Sequence, residues 1–204
     1  MRTLAALYIL LLTLANLAFS ETSYVEGEHY QLIPIPVESQ EQKATEVVEI
    51  FSYGCVHCYN FDPYVEVWKQ EKNSKVKLER LPAVFTPEFA KAYYAAEILD
   101  VVDEVHTPIF NAIHIERKDM RRKDLLAEVF KRHGGVPEED FLSVYDSFAV
   151  RSKIQQAQAR VSAYRVTGIP TMVVSGKYRT DGRLAGSNNE MLEVVDYLVE
   201  IESN

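Results

Sequence analysis

The chain has 204 residues, of which 47% are hydrophobic and 25% charged, and a formal net charge of −8 at neutral pH. That length and apolar content support a hydrophobic core that needs no covalent staple, which weakens a purely structural role for one disulfide. The acidic balance argues against nucleic acid and anionic membrane surfaces as partners.

The opening MRTLAALYILLLTLANLAFS reads as a secretory signal peptide over residues 1–20. Arg2 is its positive start, Leu4 to Leu14 is an apolar run of about 11 residues, and Ala18 and Ser20 hold the small-residue positions of a cleavage site. The run is short for a membrane span, and an uncleaved anchor is the alternative. Export means an oxidising compartment where disulfides persist.

YQLIPIPV (30–37) reads as an edge strand, because Pro34 and Pro36 cannot donate to a ladder. TEVVEIFSY (45–53) is nearly continuous in apolarity, the pattern of a central strand buried on both faces. A helix follows, with Cys58, Phe61, Val65 and Trp68 on one face and Pro63 expected to kink it. KVKLERLPAVF (75–85) is a further strand. Helical spacing then dominates to about residue 164. One stripe is Phe89, Ala92, Tyr93 and Ala96. A second is Leu125, Leu126, Val129 and Phe130, stopped by Gly134 and Gly135. A third is Phe141, Val144, Tyr145 and Phe148, and Ile154, Ala157, Val161 and Tyr164 extend a last long helix. TMVVSGKYR (171–179) is a strand with a turn signal at Ser175-Gly176, a short strand is expected near Leu184, and a final helix runs from about Asn188, itself or Asn189 being the N-cap. Strands at both ends with helices between suggest an α/β domain interrupted by a helical insertion.

Both cysteines lie in FSYGCVHCYNF (51–61). A Cys-X-X-Cys that follows a strand and opens a helix puts the first sulfur at the helix N-terminus. Unpaired N–H groups and the helix dipole favour a thiolate there. Cys55 is then the nucleophile and Cys58, one turn in, the resolving thiol. His57 can place positive charge and an N–H beside Cys55. Stabilising the reduced thiolate makes the disulfide a stronger oxidant. Two other readings compete. Zinc wants four N or S ligands, or three and water, but there are only two cysteines, and His29, His106, His114 and His133 show no partner spacing, so no metal is expected. A permanent disulfide in so tight a ring holds distant segments poorly.

Two further positions stay open on the residues alone. Glu49 lies mid-strand, six residues before Cys55. It is either exposed, or a buried acid of raised pKa that exchanges protons with Cys58, with Arg80 of the next strand as candidate partner. Pro170, in VTGIPTMVV, either starts a strand with an ordinary trans bond, the commoner case, or is cis and presents the backbone of Ile169 to an incoming peptide.

The signal peptide, EIFSYGCVHCYNFDP, the helical block and VTGIPTMVVSGKY, in this order and spacing, resemble the DsbA family of periplasmic thiol:disulfide oxidoreductases. The resemblance implies a thioredoxin fold formed by 21–84 and 158–204 and interrupted by a helical domain over 85–157. It implies that Cys55 is the exposed nucleophile, Cys58 the buried resolving cysteine and His57 the thiolate-stabilising residue. Val56, Ile169 and a cis Pro170 would then tune the thiolate and meet substrate, with Glu49 and Arg80 as the buried proton-exchange pair. It further implies a monomer without cofactor, located in the periplasm of a Gram-negative bacterium. Its substrates would be unfolded or partly folded exported proteins with free cysteines, and a DsbB-like, quinone-linked inner-membrane protein would reoxidise it. Val56 departs from the family's best-known Pro-His dipeptide, and Ile169 stands where valine is common. An exported reductase or isomerase, and a redox-inactive peptide-binding module, are the alternative functions.

Overall fold

The computed structural model describes residues 24–39, 43–72 and 75–203. The expected signal peptide lies outside them. The elements are β1 (Gln31–Leu32), β2 (Thr45–Phe51), α1 (Val56–Lys72), β3 (Val76–Pro82), α2 (Pro87–Ile98), α3 (Val102–His114), α4 (Lys123–Gly134), α5 (Glu138–Tyr145), α6 (Phe148–Ala163), β4 (Thr171–Val174), β5 (Tyr178–Asp181), α7 (Gly182–Ala185) and α8 (Asn188–Ser203). The strands form one mixed sheet in the order β1-β5-β4-β2-β3. β2 pairs parallel with β3 and antiparallel with β4, and its register sets Glu49 opposite Arg80. This is a thioredoxin fold with a block of helices, α2 to α6, between β3 and β4.

The sequence explains the sheet. β2 is rich in β-branched residues, and its residues from Glu46 to Phe51 are all buried. Alternate residues serve two cores. Val47, Met172 and Val174 pack with Phe61, Val65 and Trp68 of α1 and with Val194, Val195 and Leu198 of α8. Val48, Ile50 and Val173 pack in the cluster that holds Ala92, Tyr93, Ile109, Phe110 and Phe130 of the helical block. Each such fully buried Val, Leu or Phe contributes about 1.5–3 kcal/mol. The two cores, and not the cysteine pair, therefore hold the fold.

Several expectations need correction. Only Gln31 and Leu32 of the 30–37 stretch pair as strand, at the edge beside β5, because the prolines end the ladder. The strand expected near Leu184 is a single helical turn, α7, whose first N–H groups are capped by Asp181: its carboxylate accepts from Arg183 and Leu184. Ser187, and not an asparagine, caps α8, accepting the N–H of Glu190 at 3.1 Å. Phe148 does not join the inward stripe. It is 77% exposed, because α5 ends at Tyr145 and Ser147 starts a new helix. Gly135 does end α4 in the left-handed conformation, with φ of 66°. α1 continues through Pro63 as one helix. At the tight turn after β4, Ser175 and Gly176 both have positive φ, and a Cβ on Gly176 would sit 1.9 Å from the Val37 carbonyl oxygen. Glycine is required there for closeness as well as for φ.

Candidate active site

β2 runs out at Phe51, and Ser52, Tyr53 and Gly54 turn the chain into α1. The turn is pinned from three sides. The Cys55 N–H bonds back to the Ser52 carbonyl at 3.0 Å. A Cβ on Gly54 would meet the Phe89 ring at 2.8 Å, so any larger residue there would have to displace that ring of α2. The Tyr53 carbonyl accepts a hydrogen bond from His114 Nε2 of α3 at 2.8 Å.

Cys55 therefore stands immediately before α1, half-buried, and Cys58 sits one turn inside it, fully buried. Both are free thiols. The backbone N–H of Cys58 points at Cys55 Sγ, 3.2 Å away. The first turn of α1 carries no acidic residue that would oppose a thiolate at its N-terminus. The Cys55 thiol is pulled from near 9 down to about 6. The largest cause is the hydrogen bond from the Cys58 thiol. Burial works against it, and the N–H groups of Cys58 and His57 and the His57 charge add to it. Cys58 moves the opposite way. Its proton is held by the bond to Cys55, by burial and by the Cys55 charge, so it stays a thiol well above the ordinary range. The two thiols thus differ: Cys55 ionises readily, and Cys58 keeps its proton.

Around this pair, Val56 is 51% exposed, His57 is exposed, and the Ile169–Pro170 bond is cis. The Ile169 carbonyl oxygen lies 3.8 Å from Cys55 Sγ. His57, Ile169 and Pro170 line a cleft of about 780 Å³ together with Asp181, Arg183 and Asn188.

Beneath the cysteines lies a buried polar layer. Glu49 is 2% exposed and accepts from Arg80 Nε at 3.0 Å. The same guanidinium, through Nη2, reaches Asp62 at 3.2 Å and Glu66 at 2.6 Å. One cation cannot compensate three carboxylates equally. Burial alone would raise Asp62, but the bond from His106, the Arg80 charge and the Thr107 hydroxyl outweigh it and hold its carboxyl below the usual range. Glu66 reaches the surface. Glu49 has neither relief. Burial, only partly offset by Arg80, pushes it up to about 7. His106 is itself held low by burial. As a neutral ring it donates from Nε2 to Asp62 at 3.1 Å and accepts the Tyr53 phenol at Nδ1, 3.0 Å away.

The residues expected from sequence thus meet in two layers. Cys55, His57, Ile169 and Pro170 form the mouth, and Cys58, Glu49 and Arg80 lie below. Asp62, Glu66, Tyr53, His106 and His114 were missed. Asp62 stands four residues after Cys58, so helical spacing alone put it on the buried face. His106, Phe110 and His114 also recur at intervals of four, a repeat that placed both histidines on one face of α3.

The model of the DSBA-like thioredoxin domain family matches residues 79–198. The thiol:disulfide interchange protein DsbA of Pseudomonas aeruginosa is 38% identical over 193 residues, covering 93% of this chain and 91% of that protein. The crystal structure of Pseudomonas aeruginosa DsbA superposes with a TM-score of 0.82 at 39% identity, over 88% of this chain and 95% of that one. The crystal structure of the oxidoreductase DsbA from Xylella fastidiosa superposes with a TM-score of 0.82 at 34% identity, over 88% and 98%. With a family model spanning more than half of its length and a relative 38% identical across nearly all of it, this chain belongs to the DsbA family of thiol:disulfide oxidoreductases.

Proposed function

We propose that the protein acts as a dithiol oxidase, donating a Cys55–Cys58 disulfide to newly exported proteins that carry free cysteines. The observation that supports this direction most is the Cys58 N–H directed at the Cys55 sulfur, 3.2 Å away, with the Cys58 thiol and the His57 N–H as further causes that lower the Cys55 pKa. They stabilise the reduced form, and a stabilised reduced form makes the disulfide an oxidant.

In this reading a substrate thiolate attacks Cys55 Sγ. The Cys55–Cys58 bond breaks, and Cys58 leaves with the electron pair. Its high proton affinity means that it is protonated at once, and Glu49, pushed to about 7, is half-protonated near neutral pH and can supply that proton. Arg80 holds the Glu49 carboxyl in place. The substrate's second thiolate then attacks the substrate sulfur of the mixed disulfide. The substrate disulfide forms, and Cys55 leaves as a thiolate. Two electrons pass to the protein. Of the two substrate protons, one replenishes the site through Glu49 and one goes to solvent, because Cys55 stays ionised. Ile169 and Pro170, beside Cys55, offer backbone to the bound peptide, while Val56 and His57 form the exposed rim.

The same reading places the protein in the periplasm of a Gram-negative bacterium as a monomer. It is exported by a signal peptide over 1–20 and reoxidised by a DsbB-like inner-membrane protein. Among the described residues no helix is long and apolar enough to cross a membrane. The reading assigns 21–84 and 158–204 to the thioredoxin-like part and 85–157 to the insertion, so its second boundary falls inside α6, which is continuous there. The test is the reduction potential against a glutathione buffer. A value well above thioredoxin's, about −270 mV, is expected, and a value near it would assign the protein to reduction instead.

A further inference from the structure

The His114 ring touches the chain on both sides of the two cysteines. Its Nε2–H donates to the Tyr53 carbonyl, two residues before Cys55, at 2.8 Å. Its face stacks on Tyr59, the residue after Cys58, with centroids 4.9 Å apart and planes 17° apart. The bond to a carbonyl oxygen requires the proton on Nε2.

The position of that carbonyl gives the contact its meaning. In a helix the N–H of residue i bonds the carbonyl of residue i−4. The natural acceptor for the His57 N–H is therefore Tyr53, and for the Cys58 N–H it is Gly54. If α1 wound back by one more turn, it would spend these N–H groups on the loop. Here the Cys58 N–H bonds the Cys55 sulfur at 3.2 Å, and the His57 N–H helps to hold the Cys55 thiol low. Tyr53 is buried, so its carbonyl needs a partner, and α3 supplies it. The Tyr59 stack fixes the first turn of α1 against the same ring.

We propose that His114 is a positioning residue for the thiol chemistry: by taking the Tyr53 carbonyl it keeps the N–H groups of His57 and Cys58 directed at the Cys55 sulfur. The inference rests on Cys55 being the reacting thiolate. It assigns to the helical block a part in setting reactivity, through a side chain that does not touch substrate.

The experiment is a pH titration of Cys55 alkylation in the reduced protein, with melting temperatures measured alongside. His114→Phe retains the stack and loses the donor, and His114→Gln retains a donor and loses the ring. His114→Phe is expected to raise the Cys55 midpoint by roughly one unit, a tenfold fall in thiolate at low pH, and His114→Gln to restore most of the difference. Equal midpoints in wild type and His114→Phe would overturn the inference, even if the melting temperature falls. So would a His114→Gln midpoint no lower than that of His114→Phe. Should the variants fail to fold, nitrogen-15 shifts of the wild-type imidazole decide: a proton on Nε2 supports the inference, and a neutral ring protonated on Nδ1 overturns it. A wild-type midpoint near 9 would instead defeat the reading of Cys55 itself.

Discussion

The mouth of the site and the layer beneath it solve opposite electrostatic problems within a few residues of each other. At the mouth, half-buried Cys55 is given hydrogen bonds until its charged form is favoured. Below, Glu49 is enclosed and shares one guanidinium with Asp62 and Glu66, so its neutral form persists up to about pH 7. Hydrogen-bond donors decide the first case, and burial decides the second. The contrast suits a reaction in which negative charge must rest on one sulfur while a proton is delivered to the other.

The sharpest way to break the comparison is to remove the sulfurs. Cys55→Ser is expected to abolish oxidation of a reduced, unfolded protein. Cys58→Ser, offered a protein that already carries disulfides, should accumulate mixed disulfides at Cys55 by thiol–disulfide exchange, visible on non-reducing gels. Turnover by Cys55→Ser would remove the mouth from the chemistry. Next in size is Arg80→Met, which leaves Glu49 and Asp62 buried without their shared cation. A loss of about 3–5 kcal/mol in urea unfolding is expected. A change of less than 1 kcal/mol would mean that the layer is not held by charge.

Glu49→Gln tests the acid alone. The folded-state pKa of about 7 lies above the unfolded 4.5. The group's contribution to stability is therefore fully present below pH 4.5 and is lost as pH rises through 7. Wild type should lose stability relative to Glu49→Gln over that window, by about 3 kcal/mol. Parallel urea midpoints at pH 5 and pH 8 would contradict it. The smallest effect is expected at the rim. His57 contributes to the Cys55 shift after the bonds from Cys58. His57→Ala should raise the alkylation midpoint by about half a unit. A shift of two units would restore His57 to the leading role that its place between the cysteines suggested.

That difference marks how far the sequence could be read. Cys55, Cys58 and the strand and helix that carry them were legible because they are local: β-branched residues run into a helical stripe with the thiols at the junction. Glu49 and Arg80 were legible as candidates because a charge in an apolar strand is costly and needs a partner. What joins them was not. Asp62, His106 and Tyr53 meet across 44 and 53 residues of sequence separation, and His114 reaches Tyr53 across 61. Such pairs depend on how α3 crosses α1, which no spacing rule encodes. The same holds for the thiolate itself: spacing pointed to His57, while the three-dimensional site gives the first place to the Cys58 thiol. The fold was misread in detail where a single residue outweighs a pattern, as at Pro34, which ends the edge strand, and at Asp181, which turns the chain near Leu184 into a helix.

The measurement that bears most directly on the central claim is a titration of the reduced wild-type protein by thiolate absorbance, with the modified cysteine identified by mass spectrometry after alkylation at each pH. The account predicts a single transition near pH 6, carried by Cys55 alone, with Cys58 unmodified throughout. A transition near pH 9, or one shared equally by the two cysteines, would contradict it.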